Sequence, residues 1–332
     1  MSNNEIQPNF LFENIKNLIK ESQNRIITAI SNTMSLTYFE IGRMIVEEEQ
    51  KGELRANYGK QIIKTLSTKL TKDFGQGFSM RNIEQMRQFY IAYSIPQTLS
   101  AEFKLSWSHY LTLMRINDEN ERRFYEVESI KNNWSLRELK RQLNSALYTR
   151  LSISKDKNQI LELATKGQII EKPTDVIKDP YVLEFLGLEE KSSYSESELE
   201  QKLIDKLEHF LLELGTGFTF VARQKRITFE EKHFRVDLVF YNRLLKCFVL
   251  IDLKIGELKH QDIGQMQMYV NYYDREIKLD DESKTIGIIL CQDKSESVVK
   301  YTLPENNEQI FASKYLTVLP SQEMLKKLME SK

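Results

Sequence analysis

Two apolar runs in the last third of the chain each carry one acid. Asp237 lies within Val236-Asp237-Leu238-Val239-Phe240, and Asp252 within Val249-Leu250-Ile251-Asp252-Leu253-Lys254, with a lysine two residues on. Runs this rich in branched and aromatic side chains read as strands buried in a sheet. A strand alternates faces with period two, so Asp252 and Lys254 project from the same side. A connecting turn near Leu244-Leu245 brings Asp237 opposite Asp252, where cross-strand neighbours lie roughly 5 Å apart. Carboxylates that close repel each other unless a cation sits between them. Either acid alone would read as a strand-end residue meeting solvent; two of them in apolar strands would be costly to bury without a purpose. Hard oxygen ligands of this kind suit Mg²⁺, which keeps several waters and binds substrate phosphates. The lysine is placed to orient or activate an attacking water and to steady the developing charge.

The elements that must hold these residues are readable from periodicity. The 332 residues suggest about two domains, and Gly (12) and Pro (6) are scarce enough to point to long helices. Apolar residues at one-face helical spacing predict helices over residues 9–50, 58–72 and 82–94. Ser79 is the expected cap of the third and Pro96 its stop. Helical stretches follow from Ser106 and over 118–130, and Ser135 with Glu138 forms a capping box for 136–149. The first part is therefore expected to be all-α over 1–155, with 156–195 a junction broken by Pro173, Pro180 and Ser192-Ser193-Tyr194-Ser195. From Glu196 the pattern changes. A helix to Leu214 is followed by strands at 218–224, 232–241, 247–254 and 285–291, with a helix at 260–273 before the last. That is an α/β domain, 196–332, around a central sheet.

These residues meet a known family. Asp237 followed by Asp252-x-Lys254, after a helix bearing glutamates, resembles the PD-(D/E)XK nuclease superfamily, and Gln265-Met266-Gln267-Met268-Tyr269 matches the Gln-x-x-x-Tyr motif of one of its branches. Phe210-Leu211-Leu212-Glu213-Leu214-Gly215, Arg223-Gln224 and Gly264-Gln265-Met266 narrow the resemblance to the YhcG-type bacterial nuclease family. So do Phe74-Gly75-x-Gly77-Phe78-Ser79, Ser106-Trp107-Ser108-His109 and Trp134-Ser135-x-Arg137-Glu138-Leu139 in the helical part. Val236 stands where the superfamily's name has proline, a position that supplies no ligand.

The resemblance implies an α+β chain of two domains. A helical, winged-helix-like module binding nucleic acid or a partner would precede an α/β restriction-endonuclease-like domain with a central mixed sheet. The implied activity is Mg²⁺-dependent hydrolysis of phosphodiester bonds in DNA, with Mn²⁺ as an alternative ion. Asp237, Asp252, the Leu253 backbone carbonyl and a helix glutamate would hold the metal, Lys254 would position the water, and Gln265 and Tyr269 would support the site or touch substrate. Glu200 is the first choice for the glutamate, with Glu198 and Glu208 as competitors. An RNA or branched-junction nuclease, or an inactive binding module on the same scaffold, are the competing readings, and a homodimer is a further implication.

Nucleic-acid contacts have two candidate sources. Residues 131–155 hold six cations, among them Arg137, Lys140, Arg141, Arg150 and Lys155, against Glu138 alone, in a chain of net charge −1. This is the footprint of a phosphate-binding surface or of a solvated helix face. Arg223, Gln224 and Lys225 on a strand form the second cluster, with the same two readings. His109 and His260 are expected to be structural. Two cysteines, Cys247 and Cys291, exclude a disulfide framework. The absence of a secretory pattern and of an apolar run of membrane-spanning length makes a soluble cytoplasmic protein the expectation.

Overall fold

The computed structural model describes residues 8–51, 56–94, 103–152, 157–188 and 194–321. Pro96, Lys155 and Ser192-Ser193 lie outside the described residues. The chain divides into two compact units, one up to Lys140 and one from Arg141. The segment 141–188 thus belongs with the second unit.

The first unit is helical: α1 (Pro8–Lys51), α2 (Ala56–Phe74), α3 (Met80–Tyr93), α4 (Trp107–Leu113), α5 (Glu119–Lys131) and the start of α6 (Leu136–Asn144). Ser79 caps α3 by accepting the Asn82 N–H, Asp118 caps α5 through Glu121, and Ser135 accepts the Glu138 N–H. Gly42 lets α1 cross α3, since a Cβ there would run into the Met86 carbonyl. Phe89 is fully buried, with the rings of Phe39, Phe103, Trp107 and Tyr110 all within 6 Å of it. His109 bridges Ser106 Oγ (2.6 Å) and the Trp134 carbonyl (3.1 Å), which makes it part of the frame, and burial lowers its pKa. No strand occurs among the unit's described residues, so no β-hairpin wing is present among them.

The second unit is a six-stranded mixed sheet between helices. Its elements are α7 (Leu147–Ser152), α8 (Lys157–Lys166), β1 (Tyr181–Val182), α9 (Glu196–Asp205), α10 (Leu207–Leu214), β2 (Phe218–Phe229), β3 (Lys232–Asn242), β4 (Cys247–Glu257), α11 (His260–Tyr272), β5 (Ile286–Asp293), α12 (Glu296–Thr302) and β6 (Ile310–Leu316). The strand order is β1-β6-β5-β4-β3-β2. β2, β3 and β4 pair antiparallel, and β4, β5, β6 and β1 pair parallel. Leu199, Leu203 and Phe210 of α9 and α10 cover one face against Leu238, Ile251, Leu253 and Ile288. Ile263, Met266 and Val270 of α11 cover the other against Val239, Leu250 and Ile289. Gly287 permits this second contact, because a Cβ there would come within 2.5 Å of Met266. Two helices expected to be continuous are broken, at Ser145-Ala146 with Ala146 in the left-handed region (φ 50°), and at Lys206. Among the described residues no helix is long and apolar enough to cross a membrane.

Candidate active site

The turn at residues 243–246 sets the register of β3 on β4, with Leu238 opposite Ile251, and the next step along it brings Asp237 opposite Asp252. Regular pairing stops there. The Leu253 N–H donates to Asp237 Oδ2 at 2.8 Å instead of to a β3 carbonyl. An extended residue presents its N–H and C=O to the same edge, so the Leu253 carbonyl opens onto the same gap between the strands.

Asp252 is 2% exposed, and Lys254 Nζ lies 3.0 Å from its Oδ2. No hydrogen bond of ordinary geometry reaches that buried oxygen. Burial, and then the neighbouring Asp237, push the Asp252 carboxyl up to about 7 against the pull of Lys254. Burial works to lower the Lys254 ammonium, but the carboxylates around it, Asp252 foremost, leave it raised overall. A second acid also reaches this lysine. Glu196, the first residue of α9, has Oε2 3.8 Å from Nζ and accepts the Ile255 N–H through Oε1 at 3.3 Å.

Of the three helix glutamates, only Glu200 is brought to the acids. Glu198 is engaged in the α9 capping box, accepting the Ser195 N–H at 2.7 Å, and Glu208 is exposed on α10. Glu200 is buried and is linked to Asp237 through Gln224, whose Nε2 donates to Glu200 Oε2 (2.6 Å) and to Asp237 Oδ1 (3.0 Å). Burial raises the Glu200 carboxyl and Asp237 adds to the effect, with the Gln224 hydrogen bond opposing both. Gln224 holds this position with φ at 47°, a conformation that a side-chain-bearing residue adopts only under constraint, shortly after a bulge between Phe220 and Ala222. Gln224 thus belongs to the acid cluster and not with its basic neighbours.

Gln265 and Tyr269 sit one turn apart on α11. Gln265 Nε2 donates to the Tyr269 hydroxyl (2.6 Å), which donates to the Arg235 carbonyl (2.9 Å) two residues before Asp237. Tyr269 is fully buried and its hydroxyl is pushed up to about 12, by burial first and by Asp252 next. The pair therefore ties α11 to the strand that presents Asp237.

The donor set fits a small, hard divalent cation. One buried carboxylate oxygen, Asp252 Oδ2, is met by the Lys254 ammonium but by no hydrogen bond of ordinary geometry, a second acid faces it, and a backbone carbonyl opens onto the same gap. Among the described residues no three His, Cys, Asp or Glu side chains enclose a metal by themselves.

The basic residues separate into two groups. Arg137 and Lys140 are exposed, as are Arg223 and Lys225, with Arg223 donating to Gln201 at 3.0 Å. Arg141 is withdrawn from the phosphate-binding set. Its guanidinium is engaged by Glu184 (2.8 Å) and by Glu213 (3.4 Å) and is largely covered. Arg150 is fully buried and pairs with Glu213 at 2.6 Å. These two arginines are structural because Glu213, itself without exposure, needs counter-charge.

Glu196 was not singled out from sequence, and no local pattern marks it. Its nearness to Lys254 arises only when the start of α9 docks at the end of β4.

With this geometry in hand, residues 174–330 match the model of the YhcG PDDEXK nuclease domain, and residues 14–150 match that of the DUF1016 N-terminal domain. A protein of Escherichia coli (strain K12) named "Putative nuclease YhcG" is 38% identical over 95% of this chain and 92% of its own length. The chain belongs to the YhcG PDDEXK nuclease family. Its second unit is accordingly a restriction-endonuclease-like domain of the PD-(D/E)XK type, a class that generally uses divalent metal ions. Among solved structures, a repair endonuclease from Pyrococcus abyssi matches 37% of this chain and 48% of its own at 20% identity with a TM-score of 0.27. A complex of EndoMS with double-stranded DNA matches 41% and 51% at 16% identity with a TM-score of 0.28. Both likenesses are too distant to bear on mechanism.

Proposed function

We propose that this YhcG-family protein is a Mg²⁺-dependent endonuclease that hydrolyses phosphodiester bonds of DNA. The observation that carries the reading is the buried Asp252 carboxyl, opposite Asp237, whose Oδ2 is met by the Lys254 ammonium at 3.0 Å, outside ordinary hydrogen-bond geometry. Asp237, Asp252 and the Leu253 carbonyl would hold the ion, and Glu200 would stand one hydrogen bond behind them through Gln224. When bound, the ion lowers the pKa of a coordinated water and neutralises phosphate charge. Lys254, kept an ammonium by Asp252 and Glu196, donates hydrogen bonds towards the water and the non-bridging phosphate oxygens and steadies the charge that grows there. Gln265 and Tyr269 fix the strand that carries Asp237. Arg223 and Lys225 supply backbone contacts in this unit, and Arg137 and Lys140 supply them in the helical unit.

A panel of labelled linear, nicked, single-stranded and branched DNA and of RNA, incubated with Mg²⁺, Mn²⁺ or EDTA, tests this reading. Divalent-dependent cutting of a DNA substrate is the expected result. Cutting confined to RNA would replace the substrate class, and binding without cutting on every substrate would overturn the enzymatic reading in favour of an inactive scaffold.

A further inference from the structure

The first two thirds of α1 present a wide apolar stripe to solvent. Nine large apolar side chains between Leu11 and Met34 are 37–64% exposed. The stripe has heptad spacing. Phe12, Ile19 and Ile26 fall at one seam position, and Ile15, Ser22 and Ala29 fall at the other, three residues on. Over residues 12–36 the seam runs about 36 Å along a single helix. Nine side chains of this size, each about half exposed, offer on the order of 800 Å², the share one partner contributes to a standard specific interface. Monomers rarely leave so large an apolar patch open.

We propose that the stripe is the seam of an antiparallel two-helix contact with a second copy of this chain. The alternation of large and small seam residues selects both partner and direction. In an antiparallel pair the two seam positions meet each other, so with the two-fold axis level with residue 24, Ile19 faces the partner's Ala29 and Ile26 faces the partner's Ser22. The central layers, Ile19 with the partner's Ala29, Ile26 with the partner's Ser22 and Ile15 with the partner's Thr33, each join one large and one small side chain, which fills space evenly, and Phe12 meets the partner's Leu36 at the ends. In a parallel pair like positions meet. Ser22 would face Ser22 and Ala29 would face Ala29, leaving two under-filled layers. A two-fold contact uses the same patch on both copies, and this stripe is complementary to itself read in reverse. Lower down the helix the face changes function: Ser35, Phe39 and Ile45 are buried within the unit, so the seam can be altered without touching that packing.

Sedimentation equilibrium of the full chain at micromolar concentrations, beside the Ile19→Glu/Ile26→Glu double variant, tests the proposal. The unaltered protein should sediment as a dimer. The variant should sediment as a monomer, with its melting temperature unchanged within a few degrees and its affinity for nucleic acid lowered only as far as two linked copies would raise it. A spin label on Phe12→Cys, placed selectively because Cys247 and Cys291 are buried, should report a separation on the order of 35 Å. A monomer at every concentration, or a dimer indifferent to the two glutamates, would overturn the proposal. A short label-to-label distance would overturn the antiparallel arrangement.

Discussion

Replacing Asp252 by asparagine should make the metal-free protein more stable while ending its chemistry. The carboxyl titrates near 3.8 in an unfolded chain and is pushed up to about 7 in the folded one, by burial and then by Asp237. The folded state therefore binds the proton more tightly, and stability falls as pH rises between those two values. Three units at about 1.4 kcal/mol each set a ceiling of about 4 kcal/mol on the strain carried at pH 8. Asparagine keeps the volume and removes the charge, but it deprives Lys254 of its nearest anion, which returns roughly half of the gain. The net expectation is about 2 kcal/mol, or an upward shift of about 4–8 °C for a unit of this size. The assay is thermal unfolding in EDTA from pH 4 to pH 8. The gain should be largest at pH 8 and shrink towards zero at pH 4. Mg²⁺ should then reverse the order by stabilising the unaltered protein alone. A variant no more stable than its parent at pH 8, or a gain indifferent to pH, would refute the reasoning.

Other substitutions separate framework from chemistry. Glu213→Gln should cost about 3–5 kcal/mol in urea unfolding, because it leaves Arg150 buried without its partner. The burial that would raise Glu213 is outweighed by Arg150 and Lys178, which bring it down to about 2, so the contribution of this pairing should be full above pH 4.5 and fade as pH falls towards 2. Tyr269→Phe removes the hydroxyl between Gln265 and the Arg235 carbonyl. It should cost about 1–2 kcal/mol and slow cleavage, with Mg²⁺ affinity by calorimetry changed only a few-fold, and undiminished cleavage would argue against a supporting role. Arg137→Glu with Lys140→Glu should weaken nucleic-acid binding and flatten its salt dependence by close to one log unit per lost phosphate contact, whereas Arg141→Ala should lower stability and leave the salt slope alone.

The strands that carry the site were legible because each is a dense apolar run, and the acids stood out against it. Their register followed from one turn near Leu244. β1, α12 and β6 were not legible: Ile310–Leu316 carries Ser313 and Lys314 within it, and Tyr181–Val182 is too short for any periodicity to develop. The fate of the cations could not be read locally either. Arg141 lies on the same short helix as the exposed Arg137 and Lys140, and only the long-range approach of Glu184 and Glu213 separates its role from theirs. Gln224 shows the same limit. Its neighbours in sequence are basic, while its neighbours in space, Glu200 and Asp237, are acids, because a bulged strand turns its amide inwards. The choice of Glu200 over Glu198 rested on which helix face meets the sheet, a fact fixed by Leu199 and Leu203 packing beneath it.

The central claim is that Asp237, Asp252 and Lys254 together form the place where the phosphodiester bond is broken. The most direct test is cleavage and binding of one labelled DNA by the Lys254→Ala protein in Mg²⁺, measured beside its parent and matched for folding by melting temperature. Cleavage reduced by three orders of magnitude or more with DNA affinity preserved is the predicted result. Cleavage at the parental rate would contradict it and place the chemistry elsewhere in the molecule.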